Sequence, residues 1–344
     1  MSTCRTRFLS IWTLLCYFCV LFSLLFLAPV ASLQRVWAAS DPITVTAQTY
    51  TVHFPGSIDF SVSARDSASP INKAILALTI GGLLETHVVN INRATTSIIA
   101  QWHEDTSSRN FHPPGTQVVY YWELLDNAGN THTSTSQEFR TIDTRFAWQH
   151  LTQGLLQVNW YNRSQDFGQI MLTQASASIE RISQTLGGGL TAPINLWIYE
   201  TPEDFHGSLT PGSYEWVGGQ ALPGLNEASI AVAGPSDYTL VRDMPHELTH
   251  LVFHQLIVHG IFAPTWFDEG LAVYNQIYHE PEMEQTFDSA LANHRLLLLD
   301  DIWDGFPQDA HKAYLAYAES WKLLDYMYNT CLLYTSDAAD DLTR

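Results

Sequence analysis

Apolar and polar side chains alternate along the first hundred residues after position 40. Ile58, Phe60 and Val62 are separated by polar residues, and the segment 118–124 repeats the pattern. A period of two predicts half-buried strands. Further β-rich runs occupy 43–54, 74–80, 86–92 and 96–102, with turn-forming residues between them. About seven short strands in ~100 residues predict a β-sandwich of the immunoglobulin or fibronectin-III type over residues 40–142.

The pattern changes to a helical period near residue 143. Residues 168–186 carry apolar side chains on one helical side, and Gly187 follows them. A strand is predicted at 193–199, paired strands at 213–233, and helices from there onward. A small sheet followed by helices predicts an α+β domain over residues 143–330.

The N-terminal segment, residues 1–39, has the pattern of an export signal. Two arginines precede an apolar run from Phe8 to Val30, and Ala38 and Ala39 provide small residues for cleavage. The run is long enough for an uncleaved N-terminal anchor to remain the alternative. We therefore expect an extracellular or cell-surface protein that contacts membrane only through an uncleaved leader.

The C-terminal segment, residues 331–344, reads CLLYTSDAADDLTR. It resembles a translated sequencing adapter, and we interpret it as an artefact that follows a truncated reading frame. The alternative is a native C-terminus that frays. On the first interpretation the α+β domain lacks its natural end.

The charge balance excludes one class of partner. The 344 residues include 16 basic and 35 acidic side chains, a formal net charge of -19. Because phosphate binding needs clustered cations, we expect no nucleic-acid partner. Residues 40–330 contain no cysteine, so we expect neither a disulfide framework nor thiol chemistry there.

The candidate chemistry lies in the sequence His246-Glu247-Leu248-Thr249-His250. We predict a helix of about four turns here, with Asp243 as its N-cap and Gly260 at its end. Positions i and i+4 share a helical face, so both imidazoles can reach one metal ion. Glu247 would lie beside them, placed to take a proton from water.

A second segment supplies the third ligand. Eighteen residues separate His250 from Glu269, which is enough to end one helix and begin another. Asp268 has two open roles, since it stands at capping-box spacing from Thr265 and could equally orient a histidine. Two histidines and a glutamate that leave a fourth position for water form a catalytic zinc arrangement, so we expect one Zn²⁺ per chain.

His246–His250, the eighteen-residue spacing and Glu269 in its W-x-x-E-G-x-A setting resemble the gluzincin metallopeptidases. The spacing is that of the aminopeptidase N family, and the overall pattern is closer to the peptidase MA-like family of exported bacterial proteins. The resemblance covers roughly residues 143–330 and implies a zincin-like fold and a peptide or protein substrate. It also implies that Glu247 is the general base and that Tyr317 donates to the oxyanion, with Tyr314 as the alternative.

One departure from the aminopeptidases leaves the mode of cleavage open. Their Gly-x-Met-Glu-Asn strand, whose glutamate binds the substrate's amino terminus, is missing, and Asn226-Glu227-Ala228 only partly resembles it. Endopeptidase and exopeptidase activity both remain possible. The alternative from another class is an inactive zincin-fold surface protein that serves as a binding or adhesion module, and hydrolysis of a non-peptide substrate is a third reading. The sequence gives no oligomeric state.

Overall fold

The computed structural model describes residues 41–213, 217–257 and 262–332, with the side chains of 331–332 left out. The predicted leader, residue Gly260 and residues 333–344 of the predicted tail lie outside this part. Among the described residues, no helix combines the length and the apolarity that crossing a bilayer requires.

Eight strands form two antiparallel sheets between residues 43 and 140. The first sheet has the order β1-β2-β5 and the second β4-β3-β6-β7, with β8 also pairing with β6. Their bounds are β1 Ile43–His53, β2 Ser57–Asp66, β3 Ile71–Ile80, β4 Leu83–Val89, β5 Ser97–Asp105, β6 Gln117–Asp126, β7 Thr131–Thr133 and β8 Gln137–Arg140. The predicted all-β N-terminal region is confirmed, and its immunoglobulin or fibronectin-III type stays a prediction.

The alternating side chains explain how these sheets meet. Phe60, Val62, Tyr120 and Trp122 are fully buried in one apolar cluster that draws on both sheets. Because successive side chains of a strand point to opposite faces, the polar residues between them face away from this cluster. The predicted strand pattern therefore also predicted the core of this region.

A third sheet follows, with the order β12-β13-β11-β10-β9. Strands β10, β11 and β13 are mutually parallel, whereas β9 and β12 pair antiparallel at the two edges. Their bounds are β9 Gln149–Gln153, β10 Leu156–Trp160, β11 Ile194–Tyr199, β12 Gly219–Leu222 and β13 Glu227–Ala231. The sheets divide between residues 140 and 149, and the domain boundary at 142/143 stays a prediction.

Within the described residues, six α-helices accompany the third sheet. They are α1 Gln165–Leu186, α2 Pro202–His206, α3 Asp243–Leu256, α4 Thr265–Tyr274, α5 Pro281–Ala292 and α6 Ala310–Tyr326. Helix α1 begins where the Ser164 hydroxyl accepts a hydrogen bond from the Phe167 amide, and it ends at Gly187 in the left-handed conformation. The predicted helix over 168–186 thus begins three residues earlier than its apolar pattern.

Helix α3 is oriented by the apolar face that it buries. Met244, Leu248 and Leu251 join the core cluster between the third sheet and α1. His246 and His250 stand one turn apart on a different face of the helix. Burial of the first face therefore fixes where the histidines point.

The predicted N-cap of α3 is wrong by one residue. Arg242 occupies the N-cap and Asp243 is the first helical residue, with no side-chain cap bond. The reason is that both carboxylate oxygens of Asp243 accept hydrogen bonds from the Arg242 guanidinium. A charge-assisted pair has replaced the expected bond to the helix amides.

Candidate metal centre

The structure brings His246, His250 and Glu269 together. The Nε2 atoms of the two histidines are 3.3 Å apart, and the Glu269 Oε2 atom lies 3.2 Å from the first and 3.6 Å from the second. These three residues form the one cluster of possible metal ligands that the described part of the chain contains. Helix α3 supplies the histidines and the first turns of α4 supply the glutamate.

The spacing of these atoms fits zinc. Tetrahedral ligands at ~2.0–2.1 Å from a zinc ion are separated from one another by roughly 3.3–3.4 Å. The observed separations of 3.2, 3.3 and 3.6 Å surround that value. Glu269 Oε2 is also buried and has no well-oriented hydrogen-bond donor, which is unfavourable for a carboxylate without a cation.

The far ring nitrogen of His250 is bonded to Asp268. His250 Nδ1 lies 2.8 Å from one carboxylate oxygen of Asp268, and His254 Nε2 lies 2.6 Å from the other. Of the two roles left open for Asp268, the structure therefore shows the contact with the histidines and not the capping box, since Pro264 is the N-cap and no side chain caps α4. A carboxylate at Nδ1 keeps the proton there and leaves the Nε2 lone pair for a metal.

Gln276 has the corresponding position at His246, and sequence reasoning missed it. Its amide nitrogen lies 3.0 Å from His246 Nδ1, while its amide oxygen is buried without a partner. The oxygen and nitrogen of an amide group are assigned from their surroundings rather than observed. A flipped Gln276 amide would place its oxygen at His246 Nδ1, so this buried oxygen would gain a hydrogen-bond donor. The Nδ1–H of His246 would then donate to Gln276, and Nε2 would again be free to bind a metal.

Glu247 lies where the edge strand β12 passes the cluster. A Cβ atom on Gly219 would lie 2.6 Å from a carboxylate oxygen of Glu247, so glycine permits the strand to approach this closely. Burial raises the pKa of Glu247 to about 7, against the opposing effect of His246 and His250. Near neutral pH, the Glu247 carboxylate can therefore take up a proton at little cost in free energy.

The remaining charges of the cluster favour its ionised carboxylates. Burial alone would raise the pKa of Glu269, but His250 and His246 outweigh it and lower that pKa to about 2. In the same way the two histidines bound to Asp268 hold its pKa well below the usual range despite burial. The carboxylates are thus ready to act as ligand and as hydrogen-bond acceptor.

The structure distinguishes the two candidate tyrosines by their distance from the cluster. Burial, followed by the nearby carboxylates of Glu269 and Glu247, raises the pKa of Tyr317 well above the usual range. The Tyr317 ring lies 6.1 Å from that of His246. Tyr314 stands one turn earlier, near Glu280 instead. Of the two, Tyr317 is the phenol at the cluster.

Glu227 does not take part in this site. It lies on the inner strand β13, and its carboxylate accepts hydrogen bonds from Trp197 and Asn195. The partial likeness of Asn226-Glu227-Ala228 to the aminopeptidase strand therefore corresponds to a buried structural contact.

Comparison with known proteins is consistent with this centre. Residues 174–336 match the family model described as the Peptidase MA superfamily. This segment contains every member of the His246, His250 and Glu269 cluster, and the match supports a hydrolase of the peptidase class. No match was found among the curated proteins.

Solved structures of peptidases are similar at low sequence identity. An aminopeptidase N family protein from Idiomarina loihiensis has 9% identity and a TM-score of 0.36, over 78% of this chain and 63% of that one. This chain thus covers less than two thirds of the Idiomarina protein. An M1 zinc metallopeptidase from Deinococcus radiodurans has 12% identity and a TM-score of 0.32, over 77% of each chain.

Proposed function

We propose that this protein is an exported zinc-dependent peptidase. The observation that carries the proposal is the triangle of His246, His250 and Glu269, with Glu247 beside it. This donor set suits zinc, and three protein ligands are the number that catalytic zinc sites use. When bound, zinc would supply a Lewis acid that activates water and polarises the scissile carbonyl.

The chain's own residues would move the protons. Glu247 would accept a proton from the attacking water and pass it to the nitrogen that leaves. Its raised pKa reflects an environment in which both the charged and the neutral carboxyl are accessible. Tyr317 would donate its hydroxyl hydrogen bond to the carbonyl oxygen as negative charge develops there.

The edge strand β12 would hold the substrate. It is the last strand in its sheet order, so one edge has no strand partner within the described sheet. A peptide that pairs with this edge would lie against Glu247, because Gly219 contacts that side chain. Peptide or protein is therefore the substrate class that we propose.

Export is supported by the leader pattern in residues 1–39. An enzyme with an acidic surface and no cysteine in residues 40–330 is compatible with an extracellular setting. Microsequencing of the N-terminus of secreted material would distinguish a cleaved signal from an anchor.

The first test is zinc content together with cleavage of a mixed peptide library, with Glu247→Gln beside the wild type. We expect one zinc per chain in both proteins and a loss of turnover of at least a hundredfold in the variant, because the proton acceptor is removed. Glu284→Gln is the matched control, since Glu284 is exposed and pairs with Lys322 away from the cluster.

Two results would contradict the proposal. Equal cleavage by wild type and Glu247→Gln would show that Glu247 is not the base. A folded wild type that binds zinc and cleaves no peptide would favour the binding or adhesion module instead.

A further inference from the structure

A cavity of about 460 Å³ opens beside the metal cluster at the start of β12. His246, Glu247 and Tyr317 form the wall that it shares with the cluster. Val273, Met283 and Ala313 are buried residues that give it an apolar wall. It has room for a long side chain of a bound peptide.

Negative side chains outnumber positive ones at the part of the cavity wall around Arg242. Arg242 donates to both oxygens of Asp243 and, at 2.6 Å, to Glu280, so one guanidinium faces two carboxylates. Apart from Glu247, these are the ionised carboxylates and guanidinium among its described lining residues; His246, which would hold zinc, and His311 also line it. Asp243 and Glu280 together carry two negative charges and Arg242 carries one positive charge. These three side chains therefore have a net charge of one negative unit.

Tyr314 lies in the field of the same carboxylate, Glu280, and of Glu282 beside it. Its side chain lines the cavity, and burial followed by the carboxylates of Glu280 and Glu282 raises its pKa to about 12. Burial disfavours a charge of either sign, whereas the carboxylates of Glu280 and Glu282 favour a positive charge beside Tyr314. An ammonium or guanidinium at the end of an aliphatic stem would match both walls of the cavity.

The edge strand decides which substrate residue enters. This cavity lies at Val217–Gly219, whereas a second one, of about 390 Å³, lies farther along the strand at Gly219–Pro223. A peptide paired antiparallel to β12 runs from the second cavity to the first. In that orientation, which we include in the inference below, the residue that follows the scissile bond would face the acidic cavity.

We infer that this cavity is a specificity pocket for a lysine or arginine immediately after the scissile bond, with Glu280 as the residue that determines the preference. The inference rests on the proposed peptidase function and adds a substrate class to it. Glu280 occupies the N-cap position of α5 and lines the cavity, where it would contact the substrate side chain rather than the reacting atoms.

The test uses two peptide pools, randomised except for one position that is lysine in one pool and norleucine in the other. Norleucine keeps the stem and removes the charge. Wild-type cleavage sites are identified by mass spectrometry, and binding of both pools is measured by titration with full-length, zinc-loaded Glu247→Gln. We expect lysine to be preferred on the order of tenfold in both measurements, as a partly buried carboxylate a few ångströms away would give.

Glu280→Gln in either background should abolish the preference, while Glu284→Gln, on the same helix but outside the cavity, should retain it. Absence of cleavage would contradict the peptidase function. The binding titrations would still show whether the cavity prefers lysine to norleucine. Equal binding of the two pools, preference for acidic residues, or basic residues enriched before the bond would each overturn the inference.

Discussion

Each of the two histidines of the cluster has a hydrogen-bond partner at Nδ1, the ring nitrogen that faces away from the cluster. Asp268 contacts His250 and Gln276 contacts His246, so each ring has a partner at Nδ1 that restrains its orientation. The entropy of aligning two imidazoles is thereby lost during folding rather than on metal binding. Both partners should consequently affect zinc affinity without contacting the metal.

Gln276→Leu should lower zinc affinity by roughly 10- to 100-fold, since His246 loses the acceptor that fixes its ring. Competition with a chelator of known affinity measures this without any substrate. Gln276→Glu keeps an acceptor at the same place and should bind zinc at least as well as the wild type. Unchanged affinity in the leucine variant would show that Gln276 does not position His246.

The sequence predicted some residues of this site and could not predict others. His246, Glu247 and His250 lie within one helical turn, so their spacing alone placed them together. Gln276 and Glu280 lie in the turn between α4 and α5, and only the fold brings the first to His246 and the second to Arg242. For Asp268 the sequence allowed a cap or a histidine partner, and the energy of two charge-assisted bonds decided between them.

Among the secondary-structure elements, α4 packs backbone to backbone against α6. A Cβ atom on Gly270 would lie 2.6 Å from the Ser320 carbonyl oxygen of α6. The two helix backbones thus meet directly after Glu269, with Tyr317 on the same facing helix. Close contact here holds the third ligand and the phenol in one rigid unit.

Gly270→Ala should reduce the free energy of unfolding by roughly 1–3 kcal/mol, because backbone atoms of α6 cannot move aside as a side-chain end would. Chemical denaturation measures the loss. Gly234→Ala is the control, since a Cβ atom there meets nothing within 4 Å and its stability should not fall. Equal stability of the two variants would show that α4 and α6 can separate without cost.

The elements themselves were mostly predictable, and their ends were not. The apolar period identified α1 and α3, since the buried faces of both carry the pattern. The start of α3 was misplaced because Arg242 engages Asp243, a contact between adjacent side chains that no periodicity reveals. Ends depend on such single bonds, whereas the middle of a helix depends on a repeated pattern.

Across the whole molecule, one buried carboxyl joins the N-terminal strands to the third sheet. Glu227 is 3% exposed, and a Cβ atom on Gly115 would lie 2.4 Å from its Cγ atom. The loop between β5 and β6 therefore rests on the start of β13, the neighbour of the edge strand. Burial raises the pKa of Glu227 to about 7, although Trp197 and Asn195 oppose the shift.

The raised pKa predicts a pH dependence of stability. A carboxyl whose pKa is about 7 when folded and 4.5 when unfolded binds its proton more tightly in the folded state. Its contribution is present in full below pH ~4.5 and is lost as pH rises through ~7, on the order of 3 kcal/mol in all. The wild type should therefore lose stability relative to Glu227→Gln between pH 5 and pH 8.

Melting curves at several pH values measure this difference. Glu284→Gln serves as control, because the pKa of Glu284 is lowered by Lys322 and its carboxyl stays ionised over that range. A difference between wild type and Glu227→Gln that does not change with pH would contradict the assignment.

The contact between Gly115 and Glu227 also bears on how far this chain is modular. A shortened protein that begins after residue 142 would lose the Gly115 loop that covers Glu227, so the pKa of this carboxyl should fall towards its usual range, beside the strand that lines the cluster. Anyone who transplants the metal centre into a smaller scaffold must therefore carry the loop at residues 113–115 with it or replace Glu227 by a neutral residue. The loop between β5 and β6 therefore covers a buried carboxyl of the third sheet in addition to preceding that sheet in the chain.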